Sequence, residues 1–150
     1  MLPAVDDKTG KILMKSKHEL QLSPNGNGAL FEAINTNKAV QKCIEAVDLV
    51  QVIGVDNVLN RLLDPVQVYF TASKQLDSSL KCLVKRSADE PIGVVCKKNG
   101  KYDVVEYSEL SDALASKKAP GNPNALYFDL GNILMFMLNS QKLLKLCKDA

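Results

Sequence analysis

The run Val47-Asp48-Leu49-Val50-Gln51-Val52-Ile53-Gly54-Val55 restricts the fold more than any other segment of the 150-residue chain. Its density of β-branched residues, stopped by the turn formers Asp56-Asn57, predicts a buried strand. Asp64-Pro65 follows, an N-cap residue with proline at the first helical position. Val66, Tyr69, Phe70 and Ser73 then recur at helical spacing and predict a helix to about Leu76. A strand that feeds a helix commits the chain to a layered α/β arrangement.

The remaining segments extend that pattern. Leu80–Val84 predicts another strand. Ile92–Cys96 and Tyr102–Tyr107 predict a hairpin, because Asn99-Gly100 lies between them and this dipeptide accepts the left-handed conformation of a tight turn. Ser108 predicts the cap of a short helix through Lys118, with Glu109 and Asp112 in its first turn. Ala119–Asn124 reads as a loop, Ala125–Leu130 as a strand and Ile133–Lys148 as a helix. Upstream, Ala4–Leu22 is polar, with a turn at Asp7–Gly10 and an edge strand at Lys11–Met14. The turn formers Ser23–Gly28 then open a helix at Ala29–Ile34. The expected architecture is one partial domain, residues 1–150, with a Rossmann-like, mixed and mostly parallel sheet flanked by helices.

Composition excludes several function classes. Lys and Arg number nineteen against seventeen Asp and Glu, with no dense basic block, so nucleic acid is not an expected partner. The most apolar window, Ala125–Leu138, is broken by Asp129 and Asn132 and is shorter than the ~20 residues a membrane helix needs, so no membrane partner is expected. Cys43, Cys82, Cys96 and Cys147 are far apart and His18 is the only histidine, which predicts free, mostly buried thiols, no zinc site, and a reducing, cytoplasmic compartment. The amino terminus lacks the charged-then-apolar pattern of a secretion signal. With no base and orienting partner near a Ser, Cys or Lys, nucleophilic hydrolysis is not expected either.

Ligands of open α/β sheets bind beyond the carboxyl ends of the strands, which singles out a few polar residues. Pro24-Asn25-Gly26-Asn27-Gly28 can bring backbone N–H groups to a nucleotide, although an ordinary turn with capping asparagines reads the same way. Asp56 is placed to hold Mg2+ and let it bridge phosphate oxygens, or simply to satisfy its own turn. Glu106 can accept hydrogen bonds from two sugar hydroxyls, or stand as a solvated strand-end acid. Asn132, expected at a strand-to-helix corner, can offer an amide to a sugar or cap the helix. Lys97-Lys98 and Lys117-Lys118 read as solvated faces.

Five elements then agree in order with the eukaryotic UDP-N-acetylglucosamine/galactosamine pyrophosphorylases. Pro24-Asn25-Gly26-Asn27-Gly28, followed by Leu30, resembles that family's Pro-Asp-Gly-Asn-Gly-Gly, and Val55-Asp56-Asn57 its Val-Asp-Asn. Glu90-Pro91-Ile92-Gly93-Val94-Val95-Cys96 and Val104-Val105-Glu106-Tyr107-Ser108-Glu109 resemble its Glu-Pro-Val-Gly-Val-Val-Cys and Val-Val-Glu-Tyr-Ser-Glu. Gly131-Asn132-Ile133 is similar to the end of its Asn-Ala-Gly-Asn-Ile. The resemblance implies a nucleotidyltransferase fold of glycosyltransferase-A type, incomplete at both ends. It implies a reaction in which N-acetylhexosamine-1-phosphate attacks the α-phosphorus of UTP, giving UDP-N-acetylhexosamine and pyrophosphate. Backbone at Gly26 would read the uracil edge, while Asn27, backbone at Gly93, Glu106 and Asn132 would surround the sugar. Asp56 would take Mg2+ (or Mn2+). These residues would gather at one rim of the sheet.

Two substitutions depart from the family pattern: Asn25 stands for its Asp, and Asp129-Leu130 for its Asn-Ala. The family's amino-terminal glycine-rich loop and carboxy-terminal lysine segment have no counterpart among these residues, so the isolated chain is expected to be a weak or inactive catalyst. A UDP-glucose or other UDP-sugar pyrophosphorylase, and a non-catalytic sugar-nucleotide binding remnant, are the alternative readings.

Overall fold

The computed structural model describes residues 1–149, which fall into two compact units: Met1–Ala46 together with the chain from Leu143 onward, and Val47–Lys142. The first unit begins with short antiparallel pairs. β1 (Leu2–Pro3) pairs β4 (Leu22–Ser23), β2 (Met14–Ser16) pairs β3 (Glu19–Leu20), and Val5 bridges Ile12. The turn between Val5 and Ile12 is closed where Thr9 N–H and Thr9 Oγ1–H both donate to Asp6 Oδ1 at 2.7 Å.

α1 (Ala29–Thr36) follows the glycine-rich loop as expected. A second helix, α2 (Lys38–Glu45), occupies a stretch whose polar residues gave no helical signal by themselves. Asn37 starts it: the Asn37 side chain accepts from Ala39 N–H and Val40 N–H, two of the donors a helix start leaves unpaired. Ile34 and Ile44 bury the apolar side of the pair.

The second unit carries the main sheet. β5 (Leu49–Ile53) leads into α3 (Pro65–Ser73), and α3 into β6 (Ser78–Val84). Asp64 caps α3 by accepting from Val66 N–H at 3.1 Å, and its other carboxylate oxygen pairs with the ammonium of Lys81 on β6. The Lys81 bond, then the Val66 N–H, holds the Asp64 carboxyl below its ordinary range. β7 (Val94–Lys98) and β8 (Lys101–Val105) form the expected hairpin, with Asn99 at φ 51° and Gly100 at φ 81°, both left-handed as the tight turn requires. α4 (Asp112–Ala115), β9 (Lys118–Ala119), β10 (Asn122–Leu126) and β11 (Leu130–Asn139) follow, and α5 (Ser140–Asp149) closes the chain.

Several expectations about this unit are corrected. Ile133–Asn139 is strand, and the last helix begins only at Ser140. Leu, Met and Phe suit a helix as readily as a strand fully covered by neighbours, and a short apolar run has no period to separate the two. Burial decides it, since β11 is paired on both edges and Met135 and Met137 are enclosed. The short helix is a single turn with Ser111 at its N-cap position, not one starting at Ser108, because Glu109 N–H is taken by Glu106 O at 3.0 Å in a preceding turn.

The sheet is the expected mixed α/β layer with flanking helices, but its recorded pairings are all antiparallel, against the mostly parallel pairing expected. β5 and β6 do run in the same direction on either side of α3. β11 lies between them in the opposite sense, hydrogen-bonded to both, so the parallel strands never touch. Val94 and Met137 are wholly buried in this sheet, and each such side chain contributes roughly 1.5–3 kcal/mol by leaving water.

Candidate functional site

In the first unit, Pro24–Gly28 forms an exposed loop before α1. Gly26 has φ 70°, a left-handed conformation that suits glycine, and open space where a side chain would stand. Gly28 occupies the N-cap position without a side-chain cap, and the first bonds back are long: Ala29 N–H to Gly26 O at 3.3 Å and Leu30 N–H to Asn27 O at 3.2 Å. Gly26, Asn27 and Gly28 are exposed, and exposed backbone ahead of a helix is what recognition of a planar base edge or an anion needs.

In the second unit the strand registers bring three distant residues into one row. Val94 opposes Val105 across the hairpin, and Gly131 opposes Val94 across the next pair. One step along, Glu106, Gly93 and Asn132 stand side by side on three adjacent strand lines, with side chains on a common face. The contacts agree with the register. Asn132 N–H donates to Gly93 O at 2.8 Å, and both carboxylate oxygens of Glu106 lie 3.3 Å from the point where a Cβ on Gly93 would be. Val104 Cγ1 is equally close to that point, so a side chain at 93 would press on both by a few tenths of an ångström. Asn132 is part of β11, correcting the expected strand-to-helix corner.

The loop that presents Gly93 is held by its own motif. Glu90 Oε1 accepts from Arg86 N–H at 2.8 Å and Ser87 N–H at 3.0 Å, and these two bonds keep the Glu90 carboxyl below its ordinary range. Lys85, almost fully buried, reaches Ile92 O with its ammonium at 3.5 Å, and Lys85 N–H donates to Asp129 O at 2.7 Å. Across β11 from Gly93, the register sets Cys82 opposite Asn132. Burial pushes the Cys82 thiol up, which keeps it neutral and suits packing, not attack. Of the four free cysteines only Cys147 is fully buried, and Cys43 is exposed, so the expectation of mostly buried thiols is corrected.

Asp56 is exposed in the turn after β5. Its neighbours shape that turn: Asn57 Oδ1 accepts from Leu59 N–H at 3.1 Å, and Asn60 Nδ2–H donates to Gly54 O at 2.9 Å. Among the described residues no three His, Cys, Asp or Glu side chains cluster as metal ligands. A lone exposed carboxylate does not make an all-protein metal cage. It does fit Mg2+, which keeps most of its shell for water and phosphate oxygens. Sequence reasoning missed Leu134, whose φ of 54° marks a bulge in β11; a leucine carries no signal for that conformation. Among the described residues no helix is long and apolar enough to cross a membrane.

Known proteins resemble the chain in sequence and in fold. A UDP-N-acetylhexosamine pyrophosphorylase-like protein 1 of Xenopus tropicalis is 42% identical over 135 residues, 89% of this chain and 26% of the relative. The UDP-N-acetylglucosamine pyrophosphorylase of Saccharomyces cerevisiae is 41% identical over 119 residues, 78% of this chain and 25% of the relative. The chain thus spans about a quarter of the length of these curated relatives. The crystal structure of the uridine diphosphate N-acetylglucosamine pyrophosphorylase from Trypanosoma brucei in complex with an inhibitor superimposes with a TM-score of 0.83 at 26% identity, covering 99% of this chain and 30% of that one. Residues 1–148 match the model of the UTP–glucose-1-phosphate uridylyltransferase family, and to that family the chain belongs.

Proposed function

We propose that this chain supplies the uridine- and sugar-binding part of a uridylyltransferase that forms UDP-N-acetylglucosamine or UDP-N-acetylgalactosamine, with pyrophosphate, from UTP and the N-acetylhexosamine-1-phosphate. The observation that carries the reading is the row Glu106, Gly93 and Asn132, three residues from three motifs with a carboxylate standing over a backbone free of side chain. A carboxylate can take two sugar hydroxyls at once, and an amide beside it can meet a third polar group. In this reading Glu106 and Asn132 hold the sugar and Gly93 makes room for it. Backbone at Gly26 reads the uracil edge. Asp56 holds Mg2+ or Mn2+, which when bound neutralises phosphate charge. The protein's own residues then act by orienting the sugar phosphate for in-line attack, with no covalent enzyme intermediate. Free thiols fit a cytoplasmic setting.

A UDP-glucose reading draws support from the description of the family model, whereas the relatives' names favour the acetylated sugar. Calorimetric titration of UDP-N-acetylglucosamine and UDP-glucose into the chain with Mg2+ separates them. Tighter binding of the acetylated sugar supports the reading, and equal affinities contradict it.

A further inference from the structure

The row that carries Asn132 is joined to the Asp56 turn by a run of hydrogen bonds that lies in neither motif. At Leu134 the backbone has φ 54°, a conformation a leucine holds only under constraint, and there the register of β11 against β6 shifts between Asn132 and Phe136. Asn132 supplies the constraint: Leu134 N–H donates to Asn132 Oδ1 at 3.1 Å. The Leu134 carbonyl then accepts from Gly54 N–H at 3.0 Å. The two residues pack closely, and a Cβ on Gly54 would stand 3.3 Å from Leu134 Cδ2. Its own carbonyl accepts from Asn60 Nδ2–H at 2.9 Å, which closes the loop containing Val55, Asp56 and Asn57.

We propose that Asn132 is a positioning residue for Asp56, acting through the Leu134 bulge and Gly54; the inference rests on the reading of Asp56 as the metal carboxylate. The donor at Leu134 is a backbone N–H, so the atom facing it is the amide oxygen, and both Nδ2 hydrogens stay available to a ligand. One side chain therefore serves the sugar with its nitrogen and sets the metal-bearing turn with its oxygen. The sugar end and the phosphate end of the substrate are held to one spacing by β11.

The test uses the full 150-residue chain, labelled with 15N, with Mn2+ and UDP-N-acetylglucosamine as probes. Hydrogen exchange at the Leu134 and Gly54 amides reads the run of bonds, and paramagnetic broadening of the amides at 55–57 reads metal at Asp56. Asn132→Ala is expected to strip protection from both amides and to raise the Mn2+ concentration for half-broadening about 10-fold, as loss of a group that orients a metal ligand does. Asn132→Asp keeps an acceptor oxygen and should restore protection. Adding Leu134→Gly to Asn132→Ala should restore protection at the Gly54 amide, whose acceptor is the carbonyl at 134, but not at the 134 amide, whose acceptor stays missing; glycine adopts the left-handed conformation without support. Unchanged protection and an unchanged Mn2+ response in Asn132→Ala overturn the inference. A wild-type chain with no Mn2+ broadening at 55–57 overturns the metal reading of Asp56 instead, and the protection pattern alone then decides the positioning claim.

Discussion

Glu106 closes over Gly93: both carboxylate oxygens lie 3.3 Å from where a side chain on Gly93 would begin, and the hairpin register sets the two residues opposite each other. Gly93→Ala inserts a methyl group against the carboxylate and Val104, so Glu106 must swing away. Affinity for UDP-N-acetylglucosamine should fall about 10-fold, while the overpacking costs at most about 1–3 kcal/mol. Calorimetry and urea denaturation read the two effects separately. Glu106→Ala should lose more affinity, about 10- to 100-fold, since hydrogen bonds to a charged acceptor contribute roughly 1.5–3 kcal/mol. Exposed as it is, Glu106 should leave the melting temperature unchanged.

Asp56 separates metal binding from folding. The carboxylate is exposed and the turn around it is closed by Asn57 and Asn60 instead. Asp56→Asn should abolish the Mg2+ dependence of UDP-sugar binding, followed by titration with and without the metal. The same variant should melt within a degree or two of the wild type.

The pair Asp64 and Lys81 predicts a pH dependence of stability. Asp64 has its folded pKa depressed, by the Lys81 bond first and the Val66 N–H second. The folded state thus favours the ionised form. The resulting stabilisation is complete above the ordinary aspartate range, ~3.9, and is lost as pH falls through the lowered folded value. Asp64→Asn should be less stable than wild type at neutral pH and should lose part of the acid-side slope. Thermal melts at successive pH values compare the two chains, and parallel curves would contradict the assignment.

Gly100 sits at φ 81° in the turn between β7 and β8. Gly100→Ala places a side chain in the left-handed region, which costs about 1–2 kcal/mol for an L-residue. A lower urea midpoint with an unchanged slope is the expected result.

What the sequence made legible follows from how local each signal is. Asp64-Pro65 and Asn99-Gly100 act through their own backbone, so the start of α3 and the β7–β8 turn could be read directly. Asn37 is as local a cap, but α2 lacks a run of apolar residues to draw attention to it. β11 could not be read, because Ile133–Leu138 becomes strand only through partners far upstream, from Phe136 opposite Leu80 to Leu138 opposite Val50. The site divides the same way. Motif order was enough to single out Gly93, Glu106 and Asn132, yet their adjacency depends on two strand registers. The Leu134 bulge depends on strand pairing and on the Asn132 side chain, and the leucine itself carries no signal for it.

The row Glu106, Gly93 and Asn132 as the sugar-binding surface is tested most directly by amide chemical shifts of the labelled chain, titrated in parallel with UDP-N-acetylglucosamine and with UDP. The account predicts that the amides of Gly93, Glu106 and Asn132 move with the sugar nucleotide and stay put with UDP. Equal shifts with both ligands, or sugar-dependent shifts confined to residues away from this row, would contradict it.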